Sequence, residues 1–218
     1  MSYILDGSNW DITDPRSIPN LLIAHLTITG VSLLIGLLIA FPVALLLVRY
    51  QRFYLPVITA SGILYTIPSL AFLAFLVPFT HLTPPTIIIP LVVYAQIVLI
   101  RNIVAAIRAV DPTLVEVGRA MGMNAAQVLW RVVLPLAVPV IVAGIRVTAV
   151  TTIGIATLAP LIGVDDLGTI IFQGVSFFSF NVITAGVILV TVLAVGTDLL
   201  LLGAQALLSR GRPVASAA

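Results

Sequence analysis

Lysine and cysteine are both missing from this 218-residue chain, and all ten of its basic residues are arginine. Without lysine there is no P-loop amine to hold a nucleotide's phosphates and no Schiff-base nucleophile. Without cysteine there is no disulfide, thiolate nucleophile or thiolate metal site. Charge of either sign is scarce: 8% of the residues are charged, 61% are hydrophobic, and the mean hydropathy is +1.23. A soluble domain of this length could not solvate its own surface with so little charge, so the composition points to a polytopic membrane protein. The formal net charge of +2 reflects a few arginines and gives no ground for nucleic-acid binding.

What the chain does have is five long apolar runs, over residues 21–48, 55–79, 86–107, 134–160 and 182–208. About 20 residues cross a bilayer core, so each run is long enough to span, some with tilt. In the second run Pro68 marks a kink and Pro78 an end. Residues 1–19 carry Asp6, Asp11, Asp14 and Arg16 and read as an exposed tail rather than a basic, cleavable leader. Residues 161–181, with Asp165, Asp166 and several glycines, read as a loop. The fold class is therefore all-α, a single membrane domain of five transmembrane helices. Arginines 49, 52, 101, 108, 119, 131, 210 and 212 fall at one side, and the acidic tail and late loop at the other. The positive-inside rule then sets the N-terminus outside and the C-terminus in the cytosol of a cell-membrane protein.

One polar interval interrupts the apolar chain on the cytosolic side, residues 111–133. Asp111-Pro112 offers an N-cap followed by proline in the first turn, with Thr113 and Glu116 as an alternative capping box. Gly122 is placed to end that helix in a left-handed turn, and Asn124 with Gln127 to open a second through Trp130. Leu114, Val117 and Met121 share one face at helical spacing. A short, amphipathic, weakly charged helix of this kind wants a groove on a partner.

The motif EVGRAMG at 116–122, followed after nine residues by Val132-Val133-Leu134-Pro135, resembles the EAA loop of ABC importer permeases. Glu116, Gly118, Gly122, Val132, Leu134 and Pro135 match that pattern, and Val117 departs from it where an alanine is usual. The resemblance extends to TIPSLA at 66–71, RNIVAAIRAVDP before the loop and GIRVTAVTTIGIATLAPLIG after it, which are similar to osmoprotectant permeases for glycine betaine, choline, carnitine or proline betaine. Another small substrate, such as methionine, is the alternative. The resemblance implies a type I importer fold, a second permease copy, a cytosolic ATPase dimer and an external substrate-binding protein. It also implies that the segment from Glu116 to Gly122, with Val117, Met121, Leu134 and Pro135, couples to the ATPase. ATP and magnesium would sit on those partner subunits, leaving this chain without a cofactor or a catalytic role.

Arg146 and Asp198 are the ionisable residues placed well inside predicted spans. At about 1.5 Å per residue they lie at similar depth, roughly 15–17 Å from the cytosolic ends of their helices, so an ion pair is plausible. Its role in holding the helices together is at least as good a reading as one in the transport pathway. His25 and His81 stand near the external face without companion ligands, which argues against a metal site. An intramembrane hydrolase would need paired catalytic groups that the spans do not offer. A passive channel would need no ATPase and is the other competing class.

Overall fold

The computed structural model describes residues 2–209, and Arg210 and Arg212 lie outside them. Within those residues the chain is helical, with no strand among them. In order, the helices are α1 (Ser2–Leu5), α2 (Ile18–Arg49), α3 (Tyr54–Tyr65), α4 (Ser69–Thr80), α5 (Pro84–Arg108), α6 (Pro112–Ala120), α7 (Ala125–Val128), α8 (Leu134–Ala156), α9 (Gly168–Ser176) and α10 (Phe180–Ser209). Proline opens several of them, because its missing N–H falls among donors that a first turn leaves free anyway: Pro19 in α2, Pro84 in α5 and Pro112 in α6. Arginine closes α2 and α5, at Arg49 and Arg108, where a cation meets the negative end of the helix dipole.

Among the described residues four helices are long and apolar enough to cross a membrane: Ile18–Arg49, Pro84–Arg108, the continuous stretch Ala125–Ala156, and Phe180–Ser209. The second apolar run is not a straight span. It breaks after Tyr65 and resumes at Ser69 with a bend of 89°, and it makes a fifth crossing only if the bent pair is taken as one. Pro68 supplies the reason: it has no N–H to continue α3 and sits in an extended conformation, φ −57 and ψ 130, just before α4. The fourth run begins earlier than its apolar residues suggest. The helix opened at Asn124 does not stop near Trp130 but passes through a π-helical turn, Leu129–Val133, directly into α8. In that turn the Leu134 N–H donates to the Leu129 carbonyl, a wider ring that re-spaces the ladder ahead of Pro135.

One further reading is corrected. Residues 161–181 are not all loop, since they include α9, an apolar nine-residue helix. The N-terminal residues are largely exposed, as expected of the tail, and are also tied to one another and to the bundle. Trp10 donates its indole N–H to the Ile4 carbonyl at 2.7 Å, and Asn20 donates to the Ile12 and Asp14 carbonyls at 2.8 Å. Arg16 reaches Asp165 at 3.1 Å, and Tyr3 packs beside the buried Ile18, Leu21, Leu167 and Ile170.

Helix α5 is the centre of the bundle, packed on α2, α3 and α8, while α10 lies outermost against α8 and α9. Small residues permit the close approaches. A Cβ on Gly144 would stand 2.4 Å from the Cβ of Asn102, which fixes the α5–α8 crossing. One buried cluster at the arginine-bearing end joins Ala44, Leu47, Ile103, Ile107, Val128 and Leu134. A second at the opposite end joins Ile28, Leu73, Ile87, Leu91, Ala156 and Ile162. Large apolar side chains also cover the outside, among them Leu38, Phe75, Val147 and Leu200, as lipid-facing helices require.

Candidate functional site

The polar interval folds as a compact helical elbow. The Asp111 carboxylate accepts the Thr113 backbone N–H at 2.8 Å, and this bond holds its carboxyl below the usual carboxylate range. Of the two possible caps, the structure uses Asp111. Helix α6 ends in a Schellman turn: the Gly122 N–H donates to the Arg119 carbonyl at 2.9 Å and the Met123 N–H to the Gly118 carbonyl at 3.1 Å. Gly122 has φ +82, the left-handed conformation that glycine adopts without strain. Asn124 and Gln127 then form a reciprocal capping box, each bond 2.9 Å, and start the next helix.

This elbow divides the sequence-predicted coupling residues into two groups. Glu116, Val117, Met121 and Gly122 are exposed, as is Leu114 beside them. Gly118 is buried against Val128 and Val132, and Leu134 is buried in the adjoining core. Pro135 is half-buried just past the π turn. The outer face of α6 thus presents Leu114, Val117 and Met121, with Trp130 exposed nearby in sequence at the start of the long helix. The inner residues anchor that face to the spans. Only Ala109, Val110 and Asp111 separate α6 from α5, and α7 is continuous with α8, so the elbow is joined closely to two long helices.

Deeper in the bundle, Arg146 of α8 and Asp198 of α10 form a two-bond ion pair. Nε donates to Oδ1 at 2.9 Å and Nη2 to Oδ2 at 2.8 Å. A third bond, from Arg146 Nη1 to Gln205 Oε1 at 3.0 Å, engages a residue two turns along the same face of α10. The planar guanidinium fork matches a carboxylate in this geometry, which a lysine could not reproduce.

A second pair, and unlike the half-buried first a fully buried one, was not anticipated. His25 of α2 places Nδ1 2.8 Å from Asp166 Oδ2, and both side chains are fully buried. The other ring nitrogen, Nε2, lies 3.2 Å from the Ile153 carbonyl, so it carries a proton. Asp166 also accepts the Gly168 N–H at 2.7 Å, opening α9. Burial pushes the Asp166 carboxyl up, and His25 together with the Gly168 N–H offsets part of that rise. The pair fastens α2, α8 and the start of α9 together near the face that carries the acidic residues. A histidine inside an apolar helix and an adjacent pair of aspartates in a late loop were the available signals. Nothing in their spacing joins them. Among the described residues no group of three or more metal-ligating side chains forms.

A bundle of membrane-length helices carrying an exposed, capped two-helix elbow at its arginine-rich end is the architecture of a multi-pass membrane protein. Over residues 32–212 the chain matches the model for the binding-protein-dependent transport system inner membrane component. The chain belongs to that family, the permease subunits of ABC importers, which work with separate ATPase and substrate-binding partners and are not themselves enzymes. It is 41% identical over 170 residues to the carnitine transport permease protein OpuCB of Listeria monocytogenes, covering 78% of each chain. It is 38% identical over 181 residues to the choline transport system permease protein OpuBB of Bacillus subtilis, covering 83% of each. Identity is 31% over 212 residues to the osmoprotectant import permease protein OsmW of Salmonella typhimurium, covering 95% of each. Among solved structures, a chain of the inward-facing MetNI methionine ABC transporter superposes with a TM-score of 0.78 at 24% identity, covering 88% of this chain and 96% of that one. That likeness establishes the type I permease fold.

Proposed function

We propose that this chain is the permease subunit of an ATP-driven importer for osmoprotectants of the quaternary ammonium class, such as glycine betaine, choline or carnitine. The observation that carries the substrate class is the similarity, over most of the chain, to permeases named for carnitine, choline and osmoprotectant transport. Methionine has only the fold in its favour.

In this reading the bent α3–α4 pair counts as one crossing, giving five spans with the N-terminus outside and the C-terminus in the cytosol. The grouping of Arg49, Arg52, Arg101, Arg108, Arg119 and Arg131 toward one end supports that direction. Two permease copies form the pathway, two ATPase subunits seat the α6 elbows, and an external binding protein delivers the solute. ATP-driven closure of the ATPases pushes on Leu114, Val117 and Met121, and α5 and α8 move as rigid bodies. The Arg146–Asp198–Gln205 contact carries the motion of α8 to α10. This chain contributes geometry and a path, and the chemistry of ATP hydrolysis stays on its partners.

The test is uptake by the complete transporter, with its ATPase and binding protein, reconstituted in lipid vesicles. ATP-dependent accumulation of labelled betaine, choline or carnitine is the expected result. Accumulation of methionine with none of these would overturn the assignment.

A further inference from the structure

Charge is unbalanced at the arginine-bearing end of the bundle. Arg49, Arg52, Arg101, Arg108, Arg119 and Arg131 stand there against Asp111 and Glu116, and Asp111 is already engaged in capping α6. Among the described residues the arginines that pair with a carboxylate or donate side-chain hydrogen bonds are Arg16 and Arg146, and both lie elsewhere. Three of the unpaired cations are held over aromatic rings instead. The Arg49 guanidinium lies 5.6 Å from the ring centroid of Tyr50, Arg52 lies 4.8 Å from Phe53, and Arg108 lies 4.9 Å from Tyr54. All three rings come from one short stretch, residues 50–54, where the 3-10 turn Gln51–Phe53 joins α2 to α3. At about 2 Å of rise per residue that stretch is roughly 8 Å long. Tyr54 brings Arg108, the last residue of α5, to the same corner. Apolar side chains begin directly beside it, since Leu46 on α2 and Leu55 on α3 are exposed, as are Tyr50 and Phe53.

We propose that this corner, Arg49, Arg52 and Arg108 with the rings of Tyr50, Phe53 and Tyr54, binds the headgroup of an anionic phospholipid in the adjoining leaflet. The inference goes beyond the transport reading and does not depend on the solute. A ring attracts a guanidinium by its charge and restrains it, but supplies no carboxylate or carbonyl to take up its N–H donors. Those donors are therefore available to phosphate oxygens, which the guanidinium fork matches in pairs. The ligand that fits must be anionic at one end and apolar at the other. Its charge answers three unpaired cations, and its acyl chains cover Leu46 and Leu55. Free phosphate meets only the first requirement, and an acidic protein segment leaves the apolar side chains uncovered. A zwitterionic headgroup carries its own ammonium, which offsets much of the attraction. Tyrosine beside arginine is also what the boundary between lipid and water favours. A headgroup held here would tie the α2–α3 turn to the end of α5, from which Ala109, Val110 and Asp111 lead directly into α6. The lipid would thus brace the base of the elbow.

The experiment uses the permease–ATPase complex in a neutral detergent, with native mass spectrometry counting the lipids it retains. The probes are dioleoylphosphatidylglycerol, dioleoylphosphatidylcholine and inorganic phosphate. The parent is expected to retain the anionic lipid about ten-fold better than the zwitterionic one at equal concentration, and inorganic phosphate should not displace it. Arg49→Gln and Arg108→Gln should each weaken that retention about five-fold, the worth of one arginine at an anionic surface. Tyr54→Leu keeps every charge and should weaken it by a smaller factor. Arg119→Gln, at an exposed position of α6 outside the cluster, should leave it unchanged. Equal retention of the two lipids by the parent, or no loss in either arginine variant of the cluster, would overturn the site. Displacement by inorganic phosphate would make it a site for free anions rather than lipid. Loss of the ATPase from those arginine variants with lipid retention unchanged would assign the corner to the ATPase instead. The comparison of lipids on the parent needs no substitution, so a variant that fails to assemble leaves the test standing.

Discussion

Replacing His25 by leucine leaves Asp166 without its partner in a site where both side chains are fully buried. The variant keeps the approximate volume but puts a methyl group where Nδ1 lay 2.8 Å from the carboxylate. Breaking a buried pair by removing one member costs about 3–5 kcal/mol, because the other charge is left uncompensated. For a chain of this length each kcal/mol moves the unfolding midpoint by roughly 2–4 °C, so a fall of about 6–20 °C is expected in lipid nanodiscs at neutral pH. Asp166 has one way to reduce the cost, which is to take up a proton. Burial already pushes its carboxyl up, and losing His25 removes an opposing influence. A folded-state pKa raised above the unfolded one gives stability that is complete at low pH and lost as pH rises through the folded value. The His25→Leu variant should therefore grow less stable with increasing pH, by at most about 1.4 kcal/mol per pH unit across that interval. Asp166→Asn should cost less, because it leaves no carboxylate buried and its amide can still hydrogen-bond the ring. The double variant His25→Leu/Asp166→Leu should recover most of the loss. Thermal unfolding of these three variants, the single Asp166→Leu that completes the cycle, and the parent across pH measures each term. A His25→Leu variant within about 2 °C of the parent, or full additivity in the double-mutant cycle, would refute the reasoning.

Three other perturbations follow from the geometry. Gly168→Ala puts a Cβ 2.1 Å from the Thr157 carbonyl oxygen, so backbone must shift and the protein should unfold at clearly lower temperature, whereas Gly154→Ala meets nothing within 4 Å and should be nearly silent. Asp111→Ala removes the cap of α6 and should weaken binding of the ATPase in a pull-down from detergent, while Asp111→Asn keeps an acceptor and should retain it. Because the Asp111 carboxyl is held low, the native cap is intact above its ordinary value and fails only as pH falls through the lower folded one. Neutralising either Arg146 or Asp198 should lower uptake, and exchanging the two charges should restore part of it if pairing is what matters; failure of the exchange at normal protein levels would argue against a purely pairwise role.

The features readable in the sequence are those encoded locally. Asp111, Gly122, Asn124 and Gln127 announce their caps and turn within a few residues of one another. The long apolar runs show their helical spans by length alone. A lone cation and a lone anion at matched depth, Arg146 and Asp198, stand out because charges are rare inside membrane helices. What stayed hidden depends on chain reversal in three dimensions. His25 and Asp166 meet only after α2, α8 and the start of α9 have packed. The edge-on contacts of Tyr94 with Tyr65 and Phe72 exist only because the break at Thr66–Pro68 turns through 89°, an angle that one proline signals without specifying. Helix α9 was hidden by the glycines around it. Gly168 reads as a loop residue but is required by the Thr157 carbonyl against its α-carbon. Continuity from α7 into α8 was masked by Pro135, which the π turn accommodates.

The absence of native cysteine makes the central claim directly measurable. Single cysteines at Val117 and Met121, on the exposed face of α6, and at Phe79, exposed on α4, would each be tested with a thiol cross-linker in the assembled transporter. The account predicts covalent capture of the ATPase from Val117→Cys and Met121→Cys, changing with nucleotide, and none from Phe79→Cys. An intact, active complex in which neither α6 position is captured would contradict docking at this elbow.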